Sequence, residues 1–196
     1  MNAVAKFFLR AKHWQILSSL SGIFIVGFVA LTASAFTTTQ AQEVFRKTAI
    51  VYVGSLVLLT FFLVGWFWFT GSFLNTVLQP SLRPRMRFFR FAVIYTLIYM
   101  PVFLALFDST ATHPAVLGFI LPFHLFASYC ILYLLYFVSK NLVLAESGKP
   151  ASFCDYSGPF FLLWFFPMGV WIIQPRINRL YEDRKKLEPV SGDSIV

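Results

Sequence analysis

Four apolar runs dominate the chain, at about 16–36, 49–70, 91–107 and 115–138, each bounded by polar or basic residues. A run near twenty residues makes ~30 Å of helix at 1.5 Å per residue, the thickness of a bilayer's hydrocarbon core. The apolar residues come in blocks and do not alternate with polar ones, which argues for buried helices over half-buried strands. Composition points the same way. Charged residues are 12% of the chain against 58% hydrophobic, whereas soluble domains carry about 25% charged. So little charge cannot cover a surface that faces water. The expected fold class is therefore an all-α integral membrane protein with four transmembrane helices plus a short C-terminal re-entrant or interfacial hydrophobic segment.

That last segment is "GPFFLLWFFPMGVWIIQPR", residues 158–176. Pro167 removes a backbone donor from its middle and Gly169 makes a turn cheap. The fourteen residues between Pro159 and Gln174 make about 21 Å of helix, short of the ~30 Å core. Charge asymmetry bears on the same choice. Lys and Arg number three before residue 16, two at 46–47, four at 83–90, two at 140–149 and five from 176 onward. If 159–175 turns back, fourteen of these sixteen lie on one side. If it crosses, the split is nine against seven and the asymmetry nearly vanishes. The expectation is a re-entrant turn at Pro167 and Gly169, with Gln174 and Arg176 at its exit and both termini cytoplasmic. The competing arrangement is a kinked fifth span. Non-helical backbone at membrane depth must be covered by protein, so a re-entrant turn also implies packing against the chain's own spans or a neighbouring subunit.

The organisation expected is an amphipathic approach helix at 1–15, a four-span bundle at 16–138, a cytoplasmic loop at 139–158, the re-entrant segment at 159–175 and a basic tail at 176–196. In the first part Lys6, Arg10 and Lys12 alternate with Phe7, Phe8 and Trp14, as at a headgroup interface. Ala33-Ser34-Ala35 fits a signal-peptide cleavage site, but the preceding run is long for that role, and a first span is the preferred reading. The net charge of +8 sits in short juxtamembrane clusters suited to anionic lipid, so the lipid bilayer and not nucleic acid is the expected partner. Cys130 and Cys154 have no ligand or disulfide spacing.

Few residues carry chemistry. His124 is the one histidine inside a run, and an ionisable group there is a functional candidate by default. Its helical face holds Ser128, Ile131 and Leu135, with no carboxylate. It serves either as an interhelical hydrogen-bonding imidazole or as a single proton or metal ligand. Tyr129, Tyr133 and Tyr136 follow on the opposite face, and Tyr95 and Tyr99 lie on the third run. Buried phenols need partners, so these five form either a seam between the third and fourth spans or a polar cavity wall. Ser18 with Gly22, and Ala30 with Ser34, are small-residue pairs that permit close helix approach. No paired carboxylates, activated nucleophile, metal-ligand spacing or phosphate loop occurs. No catalytic residue, metal or cofactor is expected.

"RAKHWQ", "LPFHLFASYCILYLLYFVSK" and "DYSGPFFLLWFFPMGVWIIQPRIN" resemble a family of small bacterial polytopic membrane proteins of uncharacterised activity. The resemblance covers most of the chain. It implies about four spans, the same C-terminal block and a bacterial inner-membrane location, and it supplies no activity. The expected role is non-enzymatic, acting by helix packing in a homo-oligomer or a larger membrane complex. The rival is an oligomeric channel or pore, such as a defence effector, lined by 159–175. A lipid-acting enzyme would need Glu146, Asp155, His124 and Arg176 to converge.

Overall fold

A computed structural model describes residues 3–35, 41–112 and 114–187. Among these residues there are seven α-helices, one short 3-10 turn and no strand. They are α1 (Ala3–Arg10), α2 (His13–Ala35), α3 (Ala41–Val77), α4 (Met86–Thr112), α5 (Pro114–Ser147), α6 (Phe153–Trp164) and α7 (Phe166–Leu187). Three stretches are long and apolar enough to cross a membrane: Ile50–Val77, Met86–Leu104 and Gly118–Ser147. In α2 the apolar stretch His13–Val29 is shorter. The expected end of the first run at Phe36 and the tail beyond Leu187 lie outside the described residues.

Two compact units emerge. Of the described residues, one unit comprises those up to Leu17, Phe69–Arg85 and those from Leu135 on; the other comprises those within Ser18–Trp68 and Met86–Leu134. In the second unit, α2 meets α3 where a Cβ on Gly27 would lie 2.0 Å from Ser55 Oγ, whereas Gly22, one of the expected small-residue positions, has nothing within 4 Å.

In the first unit, helix ends are tied off by side chains. Lys12 N–H donates to Gln15 Oε1 at 2.8 Å at the start of α2. At the end of α3, Arg83 Nε donates to the Leu78 carbonyl and Nη2 to that of Thr76, at 2.8 and 3.0 Å. A cation on the last carbonyls of a helix also suits its dipole. The stretch expected as a loop, 139–158, is mostly helical. The buried apolar positions Leu142 and Leu144 carry α5 on to Ser147. Gly148, at φ 64°, then stops it, with its N–H on the Leu144 carbonyl at 3.0 Å. Ser152 and Asp155 start α6: the Ser152 N–H and hydroxyl donate to Asp155 Oδ2 at 2.7 and 2.8 Å. These bonds, the hydroxyl's first, hold the Asp155 carboxyl below its ordinary range.

The break between α6 and α7 falls at Phe165, whose φ of −89° and ψ of 62° leave the helical region. Pro167 lies just beyond it, in the first turn of α7, where a missing N–H costs nothing. Gly169 acts through space and not through its dihedrals. A Cβ there would sit 2.0 Å from the Leu162 carbonyl oxygen and 2.9 Å from the Leu163 nitrogen. The two helices therefore touch backbone to side at the bend. Tyr156, Pro159 and Leu163 of α6, and Val170, Ile173, Gln174 and Ile177 of α7, form buried stripes at helical spacing.

Gly169→Ala forces backbone apart at this contact and is expected to cost about 1–3 kcal/mol, read as a lowered Tm in detergent. Gly158→Ala, with nothing within 4 Å of its Cβ, is expected to be neutral or to stabilise by up to ~1 kcal/mol. Equal shifts would contradict a close approach at Gly169.

Candidate functional site

Within the first unit, the two ends of the hydrophobic hairpin come together. Arg176 grips Glu146 with two bonds: Nε to Oε1 at 2.7 Å, and Nη2 to Oε2. Glu146 belongs to the last turn of α5, six residues before Ser152 opens α6. The twelve residues of α6 span about 18 Å and eleven residues of α7 about as much again. An unbroken rod would leave Arg176 more than ~30 Å from where α6 began. Its pairing with Glu146 requires the chain to double back at Phe165. The pair is bidentate, a geometry a guanidinium favours with carboxylates, but both side chains are about one-third exposed, so water screens their attraction.

Two residues before Arg176, Gln174 is fully buried. Its Nε2 donates to the Phe8 carbonyl at 2.8 Å, to the Ala11 carbonyl at 3.3 Å and to Asn178 Oδ1 at 2.9 Å. Asn178 Nδ2 adds a bond to the Ala11 carbonyl at 3.1 Å. The last carbonyls of α1 have no partner within so short a helix, and two amides of α7, one turn apart, supply it. His13 and Trp171 rings pack at 4.4 Å beside this clamp. Farther along α7, Tyr181 packs on Phe73 at 5.6 Å and Arg184 Nη1 donates to Thr76 Oγ1 at 2.7 Å.

The outer surface of the hairpin contrasts with its buried stripe. Phe161, Trp164, Phe165, Met168, Trp171 and Ile172 are all exposed, Met168 to 68%. So much apolar surface in one place marks contact with lipid or protein.

In the second unit, His124 shares a 3.1 Å hydrogen bond with the Tyr99 hydroxyl through Nδ1 and packs on Phe103 at 4.9 Å. Tyr95 stacks on Tyr99 at 5.7 Å and donates its hydroxyl proton to the Phe123 carbonyl at 3.1 Å. Tyr133 meets Phe88 edge-on at 4.6 Å and Tyr129 lies 6.0 Å from the same ring. Tyr129, Tyr133 and the histidine, expected on opposite faces of one helix, thus all meet residues of α4. Ser128 donates to the His124 carbonyl at 3.0 Å, within its own helix. Tyr136 stands apart in the first unit, where Lys140 Nζ donates to its hydroxyl at 2.9 Å and Tyr156 packs on its ring at 5.5 Å.

Sequence reasoning named Gln174 and Arg176 but not the Phe8 and Ala11 carbonyls that Gln174 and Asn178 bind. The signal was two amides at i and i+4 directly after an apolar block, which marks a helix with buried polar acceptors beside it. Phe88, the ring at which Tyr129 and Tyr133 meet, carried no signal among twenty-five phenylalanines. Among the described residues no three of His, Cys, Asp and Glu converge as metal ligands.

Gln174→Leu keeps the volume and removes the donors. It is expected to cost about 1–3 kcal/mol, the penalty for stranding buried carbonyls, and to speed proteolysis of the first ten residues. Undiminished protection of α1 would contradict the clamp.

Comparison with protein-family models, curated proteins and solved structures returns no match for this chain.

Proposed function

We propose that the chain is a polytopic inner-membrane protein of bacterial type. It has four spans, with α2 as the first, and a re-entrant hairpin, α6–α7, that enters the bilayer and returns to the cytoplasmic side where both termini lie. Its role is non-enzymatic: it works by packing, as a subunit of a homo-oligomer or a larger membrane complex. The observation that carries this reading is the hairpin itself. Its exit residue Arg176 is bonded to Glu146 at its entry, and its outer face is large and apolar. Such a face is shielded by lipid at one depth and by a neighbouring subunit where it is widest. The asymmetry of Lys and Arg supports the orientation.

Packing is favoured over conduction because Gln174, the one amide in 159–175, is committed to the α1 carbonyls and offers no lining group. The groups that a lipid-acting enzyme would need are also spent: Arg176 and Glu146 on each other, Asp155 on its cap and His124 on Tyr99.

The test uses sealed inverted and right-side-out vesicles. A membrane-impermeant maleimide is expected to reach Cys154 and a Lys186→Cys label from the same side. Met168→Cys is expected to cross-link chain to chain through a short bis-maleimide. Labelling from opposite sides would contradict re-entry, and a chain that stays alone in native membranes, cross-linked neither to itself nor to another protein, would contradict the packing role.

A further inference from the structure

We infer that an apolar groove of about 320 Å³ within the second unit, between α3 and α4, holds an acyl chain of an anionic phospholipid whose headgroup is bound by Arg87 and Arg90. Ile94 and Leu97 of α4 form one wall of the groove, and Phe61, Gly65 and Trp68 of α3 form the other. None of its lining residues is charged. Trp68 stacks on Phe89 at 6.3 Å, which sets that end of the groove beside the first turn of α4. Phe61 lies two turns deeper along α3.

The cations stand directly above this groove. Arg87, Arg90, Ile94 and Leu97 follow i, i+3, i+7 and i+10 and so share one stripe of α4. Both arginines are exposed. Among the described residues neither side chain makes a hydrogen bond or an ion pair. Neither membrane-length stretch, Ile50–Val77 or Met86–Leu104, contains an aspartate or glutamate that could cancel their charge. An apolar groove with two uncancelled cations at one end is the complement of a lipid with an anionic head.

Size and depth choose a lipid over a protein segment. A helix is 10–12 Å across, so two turns of one occupy roughly 1000 Å³, about three times what the groove offers. An extended chain needs far less. Arg87 and Arg90 lie in the first turns of Met86–Leu104, and arginines at the end of a span reach back to the headgroups. Anionic lipid gathers around such clusters. The inference needs only that α3 and α4 cross the membrane; neither re-entry of the hairpin nor assembly enters it.

The experiment is native mass spectrometry of the full chain in detergent, titrated separately with phosphatidylglycerol, phosphatidylcholine and inorganic phosphate. Phosphatidylglycerol is expected to bind about tenfold tighter than phosphatidylcholine. Arg87→Gln with Arg90→Gln is expected to abolish that preference. Lys149→Gln with Lys185→Gln removes equal charge from exposed positions elsewhere and is expected to keep it. Gly65→Leu fills the groove while favouring the helix, and is expected to weaken both lipids at least threefold. Equal binding of the two lipids, equal loss in both double variants, unchanged lipid binding in Gly65→Leu, or inorganic phosphate binding as tightly as phosphatidylglycerol would each overturn the inference.

Discussion

Backbone N–H and C=O groups placed in hydrocarbon must find partners inside the protein, and that is the constraint the proposed re-entry of the C-terminal hairpin has to meet. At the bend the ladder does not simply stop. Phe165 N–H bonds the Phe161 carbonyl at 3.1 Å, and the N–H groups of Met168 and Gly169 both bond the Phe165 carbonyl, at 2.9 and 3.0 Å. Pro167, between them, has no donor to strand. The Phe165 carbonyl thus takes up two N–H groups of the first turn of α7, so the bend is re-paired at that residue.

The same logic governs the hairpin's far end. Once α7 returns, its polar residues find partners in one neighbourhood: Gln174 and Asn178 on the carbonyls of α1, Arg176 on the end of α5, Arg184 on the end of α3. Each partner is a helix terminus or the side chain of a last turn, where unpaired carbonyls and partial negative charge gather. One helix thus ties together the ends of three others. The Glu146 pair is screened by water and contributes modestly; the buried amide clamp is the costlier bond to lose.

The all-helical character and the membrane-length stretches were legible because they depend on run length and the scarcity of charge, which are local properties. The interruption near Pro167 and Gly169 was legible for the same reason, although the break falls at Phe165. Proline tolerates the first turn that follows a break, and glycine here serves a contact with Leu162, which only the folded pair reveals. What sequence could not supply was pairing. Glu146 looks like a solvated loop acid until α5 is seen to run on to Ser147. Reading 139–158 as a loop gave weight to its Ser, Lys and Asn and missed the buried periodicity of Leu142 and Leu144. His124 and Tyr133 differ in angle along one helix, yet both reach α4. Side-chain length and helix crossing decide this, and neither is written in residue spacing.

The central claim is that the apolar block after Ser152 turns back on itself and brings its exit beside its entry. Double electron–electron resonance between spin labels at Cys154 and at Arg179→Cys, with Cys130→Ala, measures this directly in lipid nanodiscs. A reversed hairpin predicts a separation below about 20 Å. A distance near 38 Å, the length of twenty-five residues of unbroken helix, would contradict it.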